Sequence, residues 1–251
     1  MIGLEYSKEL GNTNCFIRYR FKLLNYRKGV YELFDKKKKI HAAKAVIPYI
    51  PQNAIIGIGS GSTVNIFIKE LLPIKKYITG AVAASTQTEK LLNQYRIKIY
   101  DLNEINSLPI YIDSADAYNS NKQLVKGMGG ALTREKMIAY NSNQFICIVD
   151  DLKDEKILYN KPIPLEVLPI AKNFVAREIA KLSWIPVYRS NFITDNGNII
   201  LDIFNLITSN SAINIEQYLN NIPGVIDNGI FAKRNADIII IGKNNNVSII
   251  K

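Results

Sequence analysis

The sequence predicts an α/β protein: an open, mostly parallel, Rossmann-like sheet with a second, smaller α+β domain. Three observations predict it. Short apolar runs alternate with helical segments between residues 54 and 149, as in parallel strand–helix–strand units. Glycine-rich or polar stretches follow several of those runs, at the sheet edge where ligands bind. Past Asn160 the texture changes: Pro162, Pro164 and Pro169 punctuate the chain, and Asn196-Gly197 sits between apolar flanks. That pair is a strong hairpin signal.

The elements are read in order. Residues 1–35 are aromatic and basic without a clear period, an N-terminal extension of unknown role. Glu5 and Glu9 set it apart from a transit peptide. Residues 36–50 suit a helix through Ala42, Ala43, Ala45, Val46 and Ile47, and Pro48 stops or kinks it. A strand is expected at 54–58 and a helix at 64–72. A strand at 80–84 leads to a helix at 88–94, then to strands at 97–100 and 108–112. A helix starts near Thr133, and a strand follows at 145–149. Beyond the prolines come a helix at 171–182, a strand at 186–188 and a hairpin over 192–202. A helix at 213–219 and a strand at 225–226 follow, and the apolar run 237–242 returns to the first sheet. The expected domains are 36–160 plus 231–251 for the main α/β unit, and 161–230 for the smaller one.

Composition excludes several classes. No apolar run is long enough to span a bilayer, and no secretory signal is evident. Cys15 and Cys147 lie far apart and give no disulfide framework, which fits a reducing, cytoplasmic setting. A single histidine, His41, and no clustered cysteines argue against a transition-metal centre. No metal and no cofactor are expected. The net charge of +10 is spread among asparagine-rich tracts rather than gathered in a patch, so nucleic acid is not the expected partner.

Four stretches carry candidate chemistry. Gly57-Ile58-Gly59-Ser60-Gly61-Ser62-Thr63 joins a strand to a helix. Backbone approach at glycine and a helix N-terminus favour phosphate. No lysine precedes Ser62, so it is not a Walker A loop. Tyr111-Ile112-Asp113-Ser114-Ala115-Asp116 ends a strand with two carboxylates, either an Asp-rich turn or a ligand-binding pair. Lys126-Gly127-Met128-Gly129-Gly130 precedes a helix that holds Glu135 in its first turn. On local grounds Glu135 is either a favourable helix-end carboxylate or a base. Lys153 follows the strand that ends at Val149. It is either a solvated lysine or part of the same ligand edge. Together these residues make one polar site suited to a phosphorylated polyol.

These motifs resemble the A-type ribose-5-phosphate isomerase family. Gly-Ser-Gly-Ser-Thr at 59–63, Tyr-Ile-Asp-Ser-Ala-Asp at 111–116 and Lys-Gly-Met-Gly-Gly-Ala-Leu-Thr-Arg-Glu-Lys at 126–136 appear in its order. Phe-Ile-Cys-Ile-Val-Asp at 145–150, Pro-Leu-Glu-Val at 164–167, Thr-Asp-Asn-Gly-Asn at 194–198 and Ile-Pro-Gly-Val at 222–225 fit too. The resemblance spans about residues 36–251. It implies cofactor-independent interconversion of D-ribose 5-phosphate and D-ribulose 5-phosphate in the non-oxidative pentose phosphate pathway, by a homodimer or homotetramer. Glu135 matches the family's base. Ser60, Gly61, Ser62, Thr63, Asp113, Ser114, Ala115, Asp116, Lys126, Gly127, Met128, Gly129 and Lys153 match its substrate-binding positions. Lys39 matches a phosphate-holding lysine. Four residues depart from the pattern: Ser60 for threonine, Ser114 for glycine, Ala117 for glutamate and Met128 for glycine. A left-handed backbone at Met128 would cost about 1 kcal/mol or more. Two other classes compete: a non-catalytic sugar-phosphate sensor or nucleic-acid binder, and a coenzyme A transferase using the glutamate as nucleophile.

Overall fold

The computed structural model describes residues 35–154 and 158–251; residues 1–34 of the expected N-terminal extension lie outside them. Helix α1 occupies residues 35–46, and a 3-10 turn over Ile47–Tyr49 ends it at Pro48, short of the expected residue 50. There follow β1 (Ile55–Ile58), α2 (Ser62–Leu71), β2 (Gly80–Ala83), α3 (Thr86–Gln94) and β3 (Tyr111–Asp113). Two short strands, β4 (Ala117–Tyr118) and β5 (Leu124–Val125), precede α4 (Leu132–Tyr140) and β6 (Phe145–Asp150). The second half contains β7 (Ile163–Val167), α5 (Lys172–Ala180), β8 (Ile185–Tyr188), β9 (Ile199–Phe204) and α6 (Ala212–Asn220). It ends with β10 (Val225–Asn228), β11 (Ile230–Phe231), β12 (Ile238–Gly242) and β13 (Val247–Ile250).

The main sheet has six strands in the order β13-β12-β6-β3-β1-β2. All its pairings are parallel except β12 with β13. Its central strands are apolar on both faces because helices cover both. The two-residue period sends Ile146, Ile148, Ile238 and Ile240 into a core with Ala42, Val46, Phe67 and Leu71. The alternate residues Phe145, Cys147, Val149, Ile239 and Ile241 enter a second core with Tyr111, Ile138 and Ala139. Cys147 is a buried free thiol there.

A four-stranded antiparallel sheet, β10-β7-β9-β8, forms the second layer. One face, with Ile163, Leu165, Val167, Leu201 and Ile203, packs on Val175 and Ile179 of α5 and Ile215 and Leu219 of α6. The cross-strand residues Asp227, Glu166 and Ile200 lie on the other face. That face meets α4, where Lys136 pairs with Asp227 at 2.7 Å and Thr133 donates to Glu166 at 2.5 Å. Positions 133 and 136 share one side of a helix, so α4 is held between the two sheets.

Two expectations are corrected, and one strand, β7, was not foreseen. The strand at 97–100 is reduced to one parallel bridge, Ala81 to Ile99, because it meets only the end of β2 at the sheet edge. The hairpin is β8 paired with β9, not a tight turn within 192–202. Asn196-Gly197 lies in its long connection, where Thr194 Oγ1 accepts from the Asn196 and Asn198 N–H groups. Backbone bonds from the Thr194 N–H to the Asn198 carbonyl and from the Gly197 N–H to the Thr194 carbonyl, each 2.9 Å, close the same turn, which needs no flanking strand. Lastly, β7 is an interior strand despite Pro164. Pro164 sits near its start, and its carbonyl still accepts from Gly229 at 2.8 Å, so the missing N–H breaks little. The small sheet β11-β5-β4 had no periodic signal, since each strand has two residues.

Candidate active site

A cavity of about 220 Å³ opens at the carboxyl ends of β1, β2 and β3. It is lined by Ser60 and Gly61 after β1, Ser114, Ala115 and Asp116 after β3, and Lys126, Gly127, Gly129 and Glu135. The sequence singled out all nine. Ser62, Thr63, Asp113, Met128 and Lys153 stand outside the lining. Ser62 is exposed and Thr63 buried at the start of α2.

Asp113 lies fully buried behind the wall. Its Oδ1 accepts the N–H groups of Ser60 at 3.0 Å and Ser114 at 2.7 Å. Its Oδ2 accepts the Tyr111 hydroxyl and lies 2.7 Å from Lys126 Nζ. This seat requires Gly59: a Cβ there would fall 1.9 Å from the Asp113 carboxyl. Glycine thus brings β1 and β3 close enough for one carboxylate to tie both loops together.

Lys126 is buried and uses its ammonium three ways. It donates to the Ser114 carbonyl at 2.5 Å, pairs with Asp113, and lies 3.2 Å from Glu135 Oε2. Burial pulls its pKa down, but the Asp113 and Glu135 carboxylates more than offset this and hold it above the ordinary lysine range.

Glu135 occupies the first turn of α4 and is 3% exposed. Its Oε1 accepts the Ser60 hydroxyl at 2.6 Å. Its Oε2 accepts no hydrogen bond from the described residues. Burial, then the Asp113 charge, push the Glu135 pKa up from 4.5 to about 7, against the pull of Lys126 and the Ser60 hydroxyl. A carboxylate with one free oxygen and a pKa near neutrality can take up and return a proton. The neighbouring ammonium can stabilise an oxyanion that forms beside it.

Met128 carries no backbone strain. The left-handed residues of its loop are Gly127, φ 98°, and Gly130, φ 78°. The Met128 N–H donates to Asp116 Oδ2 at 3.0 Å, and its carbonyl accepts from Arg189 Nη1 at 3.0 Å. Gly130 is the constrained position: a Cβ there would meet the Phe192 ring at 2.2 Å.

Lys153 sits partly exposed on a 3-10 turn over Asp151–Lys153. Lys38 of α1 pairs with Asp151 of that turn at 2.5 Å, while Lys39 pairs with Asp35 at 2.6 Å within its own helix. Gly130 and Ala131, from the singled-out 126–136 run, also line the cavity, as do Ser85, Gln87, Phe192, Ile193 and Asp195, which sequence reasoning did not name as site residues. Ser85 and Gln87 follow β2, so the rule applied to β1 and β3 would have found them. The other loop, 192–195, folds in from the second sheet; its local signal read as a hairpin turn and not as a cavity wall. No group of histidine, cysteine and acidic side chains able to hold a metal occurs among the described residues. No helix among them is long and apolar enough to cross a membrane.

The ribose 5-phosphate isomerase A (phosphoriboisomerase A) family matches residues 80–246. A ribose-5-phosphate isomerase A of Legionella pneumophila (strain Lens) is 53% identical over 213 residues, 85% of this chain and 98% of the relative. The solved ribose 5 phosphate isomerase A of Neisseria gonorrhoeae has a TM-score of 0.83 at 38% identity, covering 86% of this chain and 96% of that one. A D-ribose-5-phosphate isomerase solved in complex with phospho-erythronic acid has a TM-score of 0.81 at 36% identity, covering 87% and 99%.

Proposed function

The chain belongs to the ribose 5-phosphate isomerase A family, and on that premise we propose that it interconverts D-ribose 5-phosphate and D-ribulose 5-phosphate with Glu135 as the base. It is an aldose–ketose isomerase. The reaction moves one proton between C2 and C1 through a cis-enediolate, while a proton shifts between the two oxygens.

The observation that carries the role of Glu135 is its buried carboxylate with Oε2 free of hydrogen bonds, 3.2 Å from the Lys126 ammonium. Base and electrophile thus lie side by side on the cavity wall. Glu135 removes the proton from C2, holds it, and returns it to C1. Lys126 stabilises the charge on the enediolate oxygens. Asp113 acts through Lys126, fixing its ammonium, and Asp116 faces the sugar hydroxyls. Ser60, Gly61, Ser62 and Thr63 receive the phosphate at the start of α2. No side chain caps that helix end, which leaves its N–H groups for an anion. Ser114, Ala115, Gly127, Met128 and Gly129 form the substrate loops, and Lys153, on the turn after β6, is the further substrate lysine.

A homo-oligomer, dimer or tetramer, is supported by the edge strand β8. It pairs with β9 alone among the described residues, and Ile185, Val187 and Tyr188 are exposed on it. Open apolar edges call for a covering partner. The buried free thiol of Cys147 accords with a reducing, cytoplasmic setting.

The test is a coupled assay of D-ribulose 5-phosphate formation from D-ribose 5-phosphate by the purified chain. Turnover without added metal is the expected result; its absence in folded protein would refute the reading. Phospho-erythronic acid should inhibit competitively.

A further inference from the structure

Glu166 is a fully buried carboxylate that the proposed reaction does not use. It stands on β7, facing α4 rather than the core beneath α5 and α6. No cation pairs with it among the described residues. Its neutral donors are Thr133 Oγ1 at 2.5 Å, Thr194 Oγ1 at 2.7 Å, Asn198 Nδ2 at 2.8 Å and Asn196 Nδ2 at 3.0 Å. A buried carboxylate without such bonds is strongly disfavoured, and bonds to an ionised acceptor are about twice as strong as neutral ones.

The donors come from two places that both touch the cavity. Thr133 lies in the first turn of α4, two residues before Glu135. Thr194, Asn196 and Asn198 belong to the connection whose neighbours Phe192, Ile193 and Asp195 line the cavity. The outer side of that connection is held separately. Arg134 donates to the Asp195 carbonyl and to Asn196 Oδ1, each at 2.9 Å, and Asp195 Oδ2 accepts the Thr86 N–H at 2.8 Å. The inner attachment is Glu166.

We propose that Glu166 is a positioning residue for the isomerisation. By fastening the start of α4 and the 194–198 turn to one carboxylate, it sets Glu135 against the wall that confines the sugar. This rests on the isomerase reading above. A misplacement of about 1 Å costs about a hundredfold in rate, so loosening the clamp lowers kcat more than it raises KM.

Thr133→Val, Thr133→Ser and Glu166→Gln in the full chain test this, with folding checked by circular dichroism. Thr133→Val keeps the shape and removes the donor; kcat should fall roughly tenfold, with KM within about threefold of the parent. Thr133→Ser restores the hydroxyl and should bring kcat back to within about twofold. Glu166→Gln keeps an acceptor for Thr194, Asn196 and Asn198 but loses the charge, and should give an intermediate loss of kcat. Should Thr133→Val fail to fold, Glu166→Gln still decides. Folded variants with kcat unchanged, or with the whole loss in KM, would overturn the clamp while leaving the isomerase reading intact. Absence of turnover in the unaltered chain would overturn both.

Discussion

Glu135 sits in a place that resists charge, and the sign of its pKa shift bears on activity and on stability. The folded pKa of about 7 lies above the ordinary 4.5. The base form therefore fills as pH rises through about 7, and kcat/KM should show its acid limb there. For stability the direction reverses. The folded state binds the extra proton between pH 4.5 and about 7, so this group's contribution is present at low pH and is lost as pH rises through that window. Glu135→Gln has no charge to bury. It should melt above the parent at pH 8, with the difference shrinking toward pH 5, while losing at least about a hundredfold in kcat. A variant that melts lower at pH 8 would contradict the assigned shift. At this scale the sequence was informative. Lys126 and Glu135 stand together, as their spacing before and inside a helix suggested. Local chemistry left Glu135 between cap and base, because what distinguishes the two is the burial and the Asp113 charge supplied by another strand.

At the scale of elements, the C-terminal ends of β1 and β3 meet only because Gly59 lets Asp113 sit between them. Gly59→Ala places a methyl 1.9 Å from that carboxyl. It should displace Asp113, break its bonds to the Ser60 and Ser114 N–H groups, and free Lys126. The expected outcome is a loss of several degrees in Tm and a loss of activity larger than any at Gly129, where a Cβ meets nothing within 4 Å. Thermal melts and turnover of Gly59→Ala beside Gly129→Ala check this; equal effects would refute it. The parallel strands were readable from their apolar runs because burial on both faces leaves that mark. The 97–100 strand was overread, since an apolar run does not say whether an edge strand has a partner. The 192–202 segment was misread because its turn residues serve Glu166, a carboxylate from a strand 28 residues earlier in the chain at Thr194.

At the scale of the whole molecule, the cavity belongs to both sheets. The main sheet supplies Ser60, Ser114, Asp116 and, through α4, Glu135; the connection between β8 and β9 supplies Phe192, Ile193 and Asp195. That closure was not legible in the sequence, because it depends on how α4 docks between two layers rather than on any local period. The same second sheet carries the open edge of β8. Val187→Lys should shift the protein to a smaller species in sedimentation, and an unchanged mass would argue against that edge as the interface. The central claim, that Glu135 carries the proton between C2 and C1, is tested most directly in deuterated water. Incubation of D-ribose 5-phosphate with the parent, and with Glu135→Gln, is followed by NMR for ketose formation and for deuterium at the exchanging carbons. Ketose formation is expected with the parent, with deuterium at C1 to the extent that the Glu135 carboxyl exchanges its proton with solvent before delivery; neither signal is expected with Glu135→Gln, while the variant still binds phospho-erythronic acid. Exchange and turnover that persist in Glu135→Gln would contradict it.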